Sequence, residues 1–253
     1  MYLPPEIFTI ISTFLSLRDI SSLILTCKDV NCWVNMNNVI REYYLSLGDE
    51  GDIIETACKR GYTYLLIYLH QTGTPLSSKA IIYASEYGHL TIVKYLHKNG
   101  VGISANNDEP IRVASGYGHL FIIKYLHKNG ANISAVNDES LGWASCNGHL
   151  HVVKYLHKNG ANISANNNEP IKLASINGHV SIIKYLRKTG VSISVDNDEP
   201  IRLSSKHGHL PVVKYLHEHG GNISANNDEP IRLASQHNHP SIVEYLHENG
   251  ARL

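Results

Sequence analysis

From residue 52 onward the apolar and polar positions fall into one pattern that restarts every thirty residues over most of its length. In residues 107–136, Glu109-Pro110-Ile111-Arg112-Val113-Ala114-Ser115 reads as a short helix, because proline is tolerated where a first-turn N–H lacks a partner anyway. Gly118 ends it, and Leu120, Ile122, Ile123, Tyr125 and Leu126 give a second helix an apolar stripe that stops at Asn129-Gly130. The small Ala114-Ser115 pair lets another backbone approach closely. Ala131 to Asp138 alternates weakly and is rich in turn formers, which predicts an extended, turning connection. A helical pair of this length cannot bury its apolar face alone, so successive copies must stack.

The markers of the period are Gly88-His89, Gly118-His119, Gly148-His149, Gly178-His179 and Gly208-His209, with Asn238-His239 in the same register. Tyr-Leu pairs keep the same step from Tyr95 to Tyr245. The run Gly88 to Leu96, the Glu109-Pro110-Ile111-Arg112 and Ala114-Ser115 segments, and Gly130-Ala131-Asn132 together resemble the ankyrin repeat over residues 52–253. The resemblance implies an all-α solenoid of about seven helix-turn-helix units, near 52–78, 79–106, 107–136, 137–166, 167–196, 197–226 and 227–253, acting as a monomeric protein-binding scaffold. The thirty-residue period is shorter than the family's ~33. The missing residues fall where the family builds a projecting hairpin, so short hairpins are expected and recognition should lean on the helical surface. Ala57 to Gly73 reads as a degenerate first copy, as terminal repeats tend to be.

Residues 1–48 do not repeat and predict three short helices with a large apolar payload, the first with Ile7, Ile10, Ile11, Phe14 and Leu15 at helical spacing. The order Leu3-Pro4-x-Glu6-Ile7, Ile11, Leu15, Asp19, Leu23, Cys27-Lys28 and Trp33 resembles an F-box. That resemblance implies a module whose Leu3, Pro4, Ile7, Ile11 and Leu15 dock the Skp-type adaptor of cullin–RING ubiquitin ligases. The alternative for residues 1–48 is a helical cap for the array, in which Leu3, Pro4, Ile7, Ile11 and Leu15 pack against Tyr43, Tyr44 and the first repeat. An F-box-like segment joined to such an array is similar to the ankyrin families of giant viruses of amoebae, which implies a host-cell interior, cytoplasm or nucleus, as the setting.

Composition narrows the function classes. Twenty-two basic and twenty-two acidic residues balance, and residues 1–50 and the remainder differ only mildly, so no basic patch and no nucleic-acid partner are expected. Four cysteines, Cys27, Cys32, Cys58 and Cys146, are too few for a disulfide framework and fit a reducing compartment. No apolar run reaches membrane-spanning length, and the stretch Ile7 to Leu17 lacks the flanks of a signal peptide.

The sixteen histidines invite a metal reading, but they belong to the repeated text. Equivalent positions in stacked helices lie about 8–10 Å apart, whereas ligands on one zinc sit ~2 Å from it. Capping and turn hydrogen bonds are the expected roles, with no metal and no cofactor. Ser/His pairs recur with the repeats as well, and one catalytic site does not need five copies, so no enzyme is expected. The sequons at Asn132, Asn162 and Asn222 recur because the turn recurs. Arg112, Lys172, Arg202 and Arg232 form a basic column expected to pair with the acid three residues earlier or with the neighbouring Asp-rich turn.

Positions where the copies disagree are the candidates for binding, since a scaffold residue is repeated while a partner-matched one is free to differ. Just before the turn glycine the copies read Glu86-Tyr87, Gly116-Tyr117, Cys146-Asn147, Ile176-Asn177, Lys206-His207 and Gln236-His237. Trp143 beside Gly142 adds an irregularity, and the ankyrin resemblance implies that these positions look onto a concave binding face for a protein target. Tyr87, Tyr117 and Ile176 are the expected anchors. The expected function is a non-enzymatic adaptor that joins a bound protein to the ubiquitin machinery, the alternative a plain binding or sequestering scaffold.

Overall fold

The computed structural model describes residues 53–71 and 73–253, and every regular element among them is an α-helix. The F-box-like positions Leu3, Pro4, Ile7, Ile11 and Leu15, and the packing of Tyr43 and Tyr44, lie outside the described residues. The chain divides into two compact units, Met1–Gly102 and Ile103–Leu253. In the first the helices are α1 (Ile53–Arg60), α2 (Thr63–Gln71), α3 (Ser78–Glu86) and α4 (Leu90–Lys98). In the second, five pairs follow: α5 (Ala105–Gly116) and α6 (Leu120–Lys128), α7 (Ala135–Cys146) and α8 (Leu150–Lys158), α9 (Ala165–Ile176) and α10 (Val180–Lys188), α11 (Val195–Lys206) and α12 (Leu210–Glu218), α13 (Ala225–Gln236) and α14 (Pro240–Glu248).

Both helices of a pair end in the same way, and glycine is the reason. At the end of α5 the chain turns through Gly118 at φ +80°, with His119 N–H donating to Ala114 O at 2.8 Å and Gly118 N–H to Ser115 O at 3.3 Å. At the end of α6 Gly130 takes φ +101°, Gly130 N–H donates to His127 O at 3.0 Å and Ala131 N–H to Leu126 O at 3.0 Å. These are Schellman closures, which satisfy two of the carbonyls a helix end leaves without partners. The expected apolar contact accompanies the second, since Leu126 and Ala131 are both buried.

The connection between copies differs from the extended turn that the sequence predicts. Three successive residues take left-handed backbone: Asn106, Asn107 and Asp108, and likewise Val136–Asp138, Asn166–Asn168, Asp196–Asp198 and Asn226–Asp228. A single left-handed turn therefore replaces the projecting hairpin, and Asn and Asp dominate it because their short polar side chains tolerate this conformation. Pro110 follows two residues later, at the start of the right-handed part of α5. The sequon asparagines serve the approach to this turn: Asn132, Asn162 and Asn222 accept from the N–H of Ser134, Ser164 and Ser224 at 2.9–3.0 Å.

Val136 is the exception, a β-branched residue at φ +53° with 48% of its surface exposed. Exposure means that no core packing offsets the strain. Val136→Asn should therefore stabilise the protein by about 1 kcal/mol, read as a higher urea midpoint. An unchanged or lower midpoint would remove the strain argument.

Within the second unit the first helices pack in sequence, α5 on α7, α7 on α9, α9 on α11 and α11 on α13, and contacts among the second helices are sparser. The Ala-Ser pairs explain this closeness: Ala114, Ser115, Ala144, Ser145, Ala174 and Ser175 are fully buried. Ile111, Leu141, Ile171 and Ile231 fill the layer, closed from the other side by Ile123, Val153, Ile183 and Val213. In the first unit α1 packs on α3 and each of them on its own second helix.

Candidate interaction surface

The surface at the ends of the first helices is built on the glycine-histidine turn, and the two residues act across a repeat boundary. His179 Nε2–H donates to the Cys146 carbonyl at 2.9 Å, His209 to Ile176 at 2.7 Å and His239 to Lys206 at 2.9 Å. Each imidazole thus satisfies a last-turn carbonyl of the preceding copy. It lies directly over that copy's glycine: a Cβ on Gly148 would meet the His179 ring at 2.7 Å, and one on Gly178 or Gly208 would meet His209 or His239 at 2.6 or 2.7 Å. The first unit repeats the device, with His89 bonded to Lys59 O at 3.1 Å over Gly61. Asn238 takes the same left-handed turn, at φ +59°, in the place that the other copies give to glycine.

On this footing stand the residues that differ between copies. In the second unit Tyr117, Asn147, Asn177, His207 and His237 cap five consecutive first helices, and all five are exposed. Tyr117 is 57% exposed and stacks on His119 with the ring centroids 6.4 Å apart. The Asn147 amide donates to Gly116 O at 2.8 Å, the Asn177 amide donates to Leu173 O at 3.0 Å, and His237 Nδ1 bonds Leu233 O at 3.0 Å. Ile176 and Lys206 are half-buried, and Gln236 is exposed. In the first unit Glu86 and Tyr87 close α3, with Tyr87 50% exposed.

Trp143 has a local partner that the sequence reading did not assign. Its ring lies against Gly116 of the preceding helix, where an added Cβ would sit 3.2 Å from Cε3, and the Arg112 guanidinium stands 5.8 Å from its centroid. The two departures from the repeated text, Gly116 and Trp143, therefore fit each other.

The basic column does not pair with the acid three residues earlier. Arg112 pairs with Glu139, Lys172 with Glu199 at 2.8 Å and with Asp196, and Arg202 with Glu229 at 2.7 Å, each reaching into the following copy. The earlier acids are held instead by asparagine, Glu109 by Asn106, Glu169 by Asn166 and Glu229 by Asn226, each at 2.9 Å. The arginines also donate to carbonyls of the left-handed turn, Arg112 to Asn107 at 3.2 Å and Arg202 to Asp196 at 3.1 Å. Burial alone would lower the Lys172 pKa, but hydrogen bonds and charge from Asp196 and Glu199 carry it above the ordinary value. Gly142 leaves the one gap in the column.

The second-helix histidines are tied to tyrosines. His127 Nδ1 and the Tyr155 hydroxyl are hydrogen-bonded at 2.9 Å, His157 and Tyr185 at 2.7 Å, and His217 and Tyr245 at 2.8 Å, with rings edge to face. Burial raises the pKa of these three tyrosines. No cluster of three or more metal-ligating side chains occurs among the described residues, and no helix there is long and apolar enough to cross a membrane.

One turn histidine sets a pH dependence. Burial lowers the His149 pKa, the Gly116 carbonyl pulls the other way, and the charges of His151, His119 and His179 lower it further. A histidine whose folded pKa lies below its unfolded value binds fewer protons when folded, so its contribution is complete above the unfolded pKa near 6.5 and is lost as pH falls. Urea midpoints should therefore drop between about pH 7.5 and 5, and His149→Gln should flatten the drop; an identical drop in the variant would assign it elsewhere.

A family model described as ankyrin repeats matches the chain three times, at residues 54–137, 135–197 and 193–253. Among solved structures, the human ASB11 ankyrin repeat domain is similar in fold, with a TM-score of 0.66 at 19% identity, covering 78% of this chain and 98% of that one. No curated protein matches the sequence.

Proposed function

The chain belongs to the ankyrin-repeat family, a family of protein-interaction scaffolds, and from that premise we propose that it is an adaptor whose protein target is held at the variable first-helix ends. The observation that carries this reading is the division of labour within each copy. Residues that repeat, the turn glycine, its histidine, the buried Ala-Ser pair and the Arg-Glu bridge, tie one copy to the next. Residues that differ, Tyr117, Asn147, Asn177, His207 and His237, stand exposed in one row beside them. An exposed row that passes from tyrosine through two asparagines to two histidines, on a hydrogen-bonded footing, suits recognition of a particular protein surface, with Tyr117 as the aromatic anchor that interfaces favour. Tyr87 offers the same chemistry in the first unit.

The order of residues from Leu3 to Trp33 supports a further role, recruitment of a Skp-type adaptor inside a host cell, so that the bound protein is presented for ubiquitination. A pull-down with purified Skp-type adaptor tests it, using the full chain and the Leu3→Ala/Ile7→Ala double variant. Capture by the full chain and its loss in the double variant are expected. Absence of capture by both would leave a binding scaffold without a ligase role.

A further inference from the structure

We infer that the face formed by the second helices α6, α8 and α10 is a separate docking surface for an acidic, extended polypeptide segment. The chain as a whole is neutral, but the fold sorts its charges. Between residues 103 and 217 every Asp and Glu lies in a left-handed turn or directly after it, from Asp108 and Glu109 to Asp198 and Glu199. Helices α6, α8 and α10 contain no acid at all. The positive face is therefore local to α6, α8 and α10; it ends at α12, which carries Glu218, and α14 carries Glu244 and Glu248 with no lysine.

These cations differ from those of the basic column. Arg112, Lys172 and Arg202 are neutralised by carboxylates of the next copy. Lys124, Lys154, Lys184 and Lys214 are exposed and lie 5.3–5.8 Å from the ring centroid of the tyrosine in the following copy. One turn further along, Lys128, Lys158 and Lys188 are exposed and have no carboxylate partner among the described residues. Lysines four apart on one helix repel and destabilise it, and the arrangement occurs in three consecutive second helices. A bound polyanion relieves that repulsion.

Geometry and chemistry select the polyanion. The rungs of the ladder repeat once per copy, about 8–10 Å apart, and a polyproline-II chain advances ~3.1 Å per residue with about three residues per turn, so carboxylates at every third residue share one face and keep step with them. A single-stranded nucleic acid needs free aromatic faces on which bases stack. Here the Tyr155, Tyr185 and Tyr245 rings already carry a lysine and meet a histidine edge-on. Phe121, 73% exposed and three residues before Lys124, adds an apolar contact at one end of the face.

The test is fluorescence anisotropy of the full chain with a labelled, unstructured peptide carrying glutamate at every third position. Binding is expected to weaken with salt, because exposed charges are screened over ~8 Å at physiological ionic strength. Lys154→Glu/Lys184→Glu should weaken it about tenfold or more. Arg232→Glu/Arg252→Glu, the same change in net charge placed outside the ladder, should weaken it less than about twofold. Phe121→Ser should weaken it without changing the salt dependence. Circular dichroism checks that each variant is folded, which reversal within a lysine pair favours. Failure of the peptide to bind, equal losses in the two double variants, or tighter binding of duplex DNA or of phosphatidylserine vesicles would overturn the proposal.

Discussion

Gly148→Ala is expected to destabilise the second unit by about 2–5 kcal/mol, seen as a lower urea midpoint. Two effects add. Alanine at φ +80° pays for left-handed backbone, roughly 1–2 kcal/mol. Its Cβ also enters the His179 ring, to which Gly148 approaches so closely that a methyl would stand 2.7 Å away, and such overpacking costs ~1–3 kcal/mol. The ring has little freedom to retreat, because its Nε2–H is committed to the Cys146 carbonyl at 2.9 Å. The two parts separate in a His179→Ala background, where the same substitution should lose only the backbone part. A loss of equal size in both backgrounds would show that the histidine does not hold the interface.

The second large effect is expected at Gly116. Gly116→Ile should cost ~1–3 kcal/mol, because the added side chain enters the space of the Trp143 ring, 3.2 Å from the Cβ position. The copies with a side chain at that place, Cys146, Ile176 and Lys206, have leucine twenty-seven residues later, at Leu173, Leu203 and Leu233. Gly116→Ile/Trp143→Leu should therefore recover most of the loss, with a coupling of more than about 0.5 kcal/mol in the double-mutant cycle. Strictly additive losses would mean that the two irregularities are unrelated. Either substitution alters the patch beside Tyr117 and Asn147, so the cycle also tells whether the row of variable residues is shaped from beneath by the repeat before it.

The contrast between these two sites shows what was legible in the sequence. The period, the helical pair, the glycine stops and the buried Ala-Ser pair follow from spacing and from local chemistry, and the structure has them all. Contacts across the repeat boundary were less visible, because a helical reading looks three or four residues away. Glu109 is the natural partner of Arg112 by that rule, but the partner is Glu139, twenty-seven residues on. The same offset joins Gly116 to Trp143, and a search for compensating departures at a fixed inter-repeat step would have found them. Arg187 gives another example. It stands where other copies place the histidine that bonds the next tyrosine, and Tyr215 packs instead on His219, centroids 4.1 Å apart. The left-handed turn was legible only in its composition, since Asn and Asp mark a turn without saying that three successive residues share one conformation.

Net charge misled for a related reason. A sequence that is neutral as a whole still separates its charges when, as from residue 103 to 188, the acids occupy the turns and the second helices carry only lysine and arginine. Summing along the chain hides what summing by position within the repeat reveals.

Repeated residues build the scaffold, and we propose that the differing ones hold the partner. Site-specific photo-crosslinking in extract from cells that express the chain tests it most directly, with the crosslinker at Tyr117, Asn177 and His207 and, for comparison, at the exposed repeated residues Ser164, Ser194 and Ser224. The first three positions are expected to capture one and the same protein and the three serines little of it. Capture of that protein from the serines, with none from Tyr117, Asn177 and His207, would contradict it.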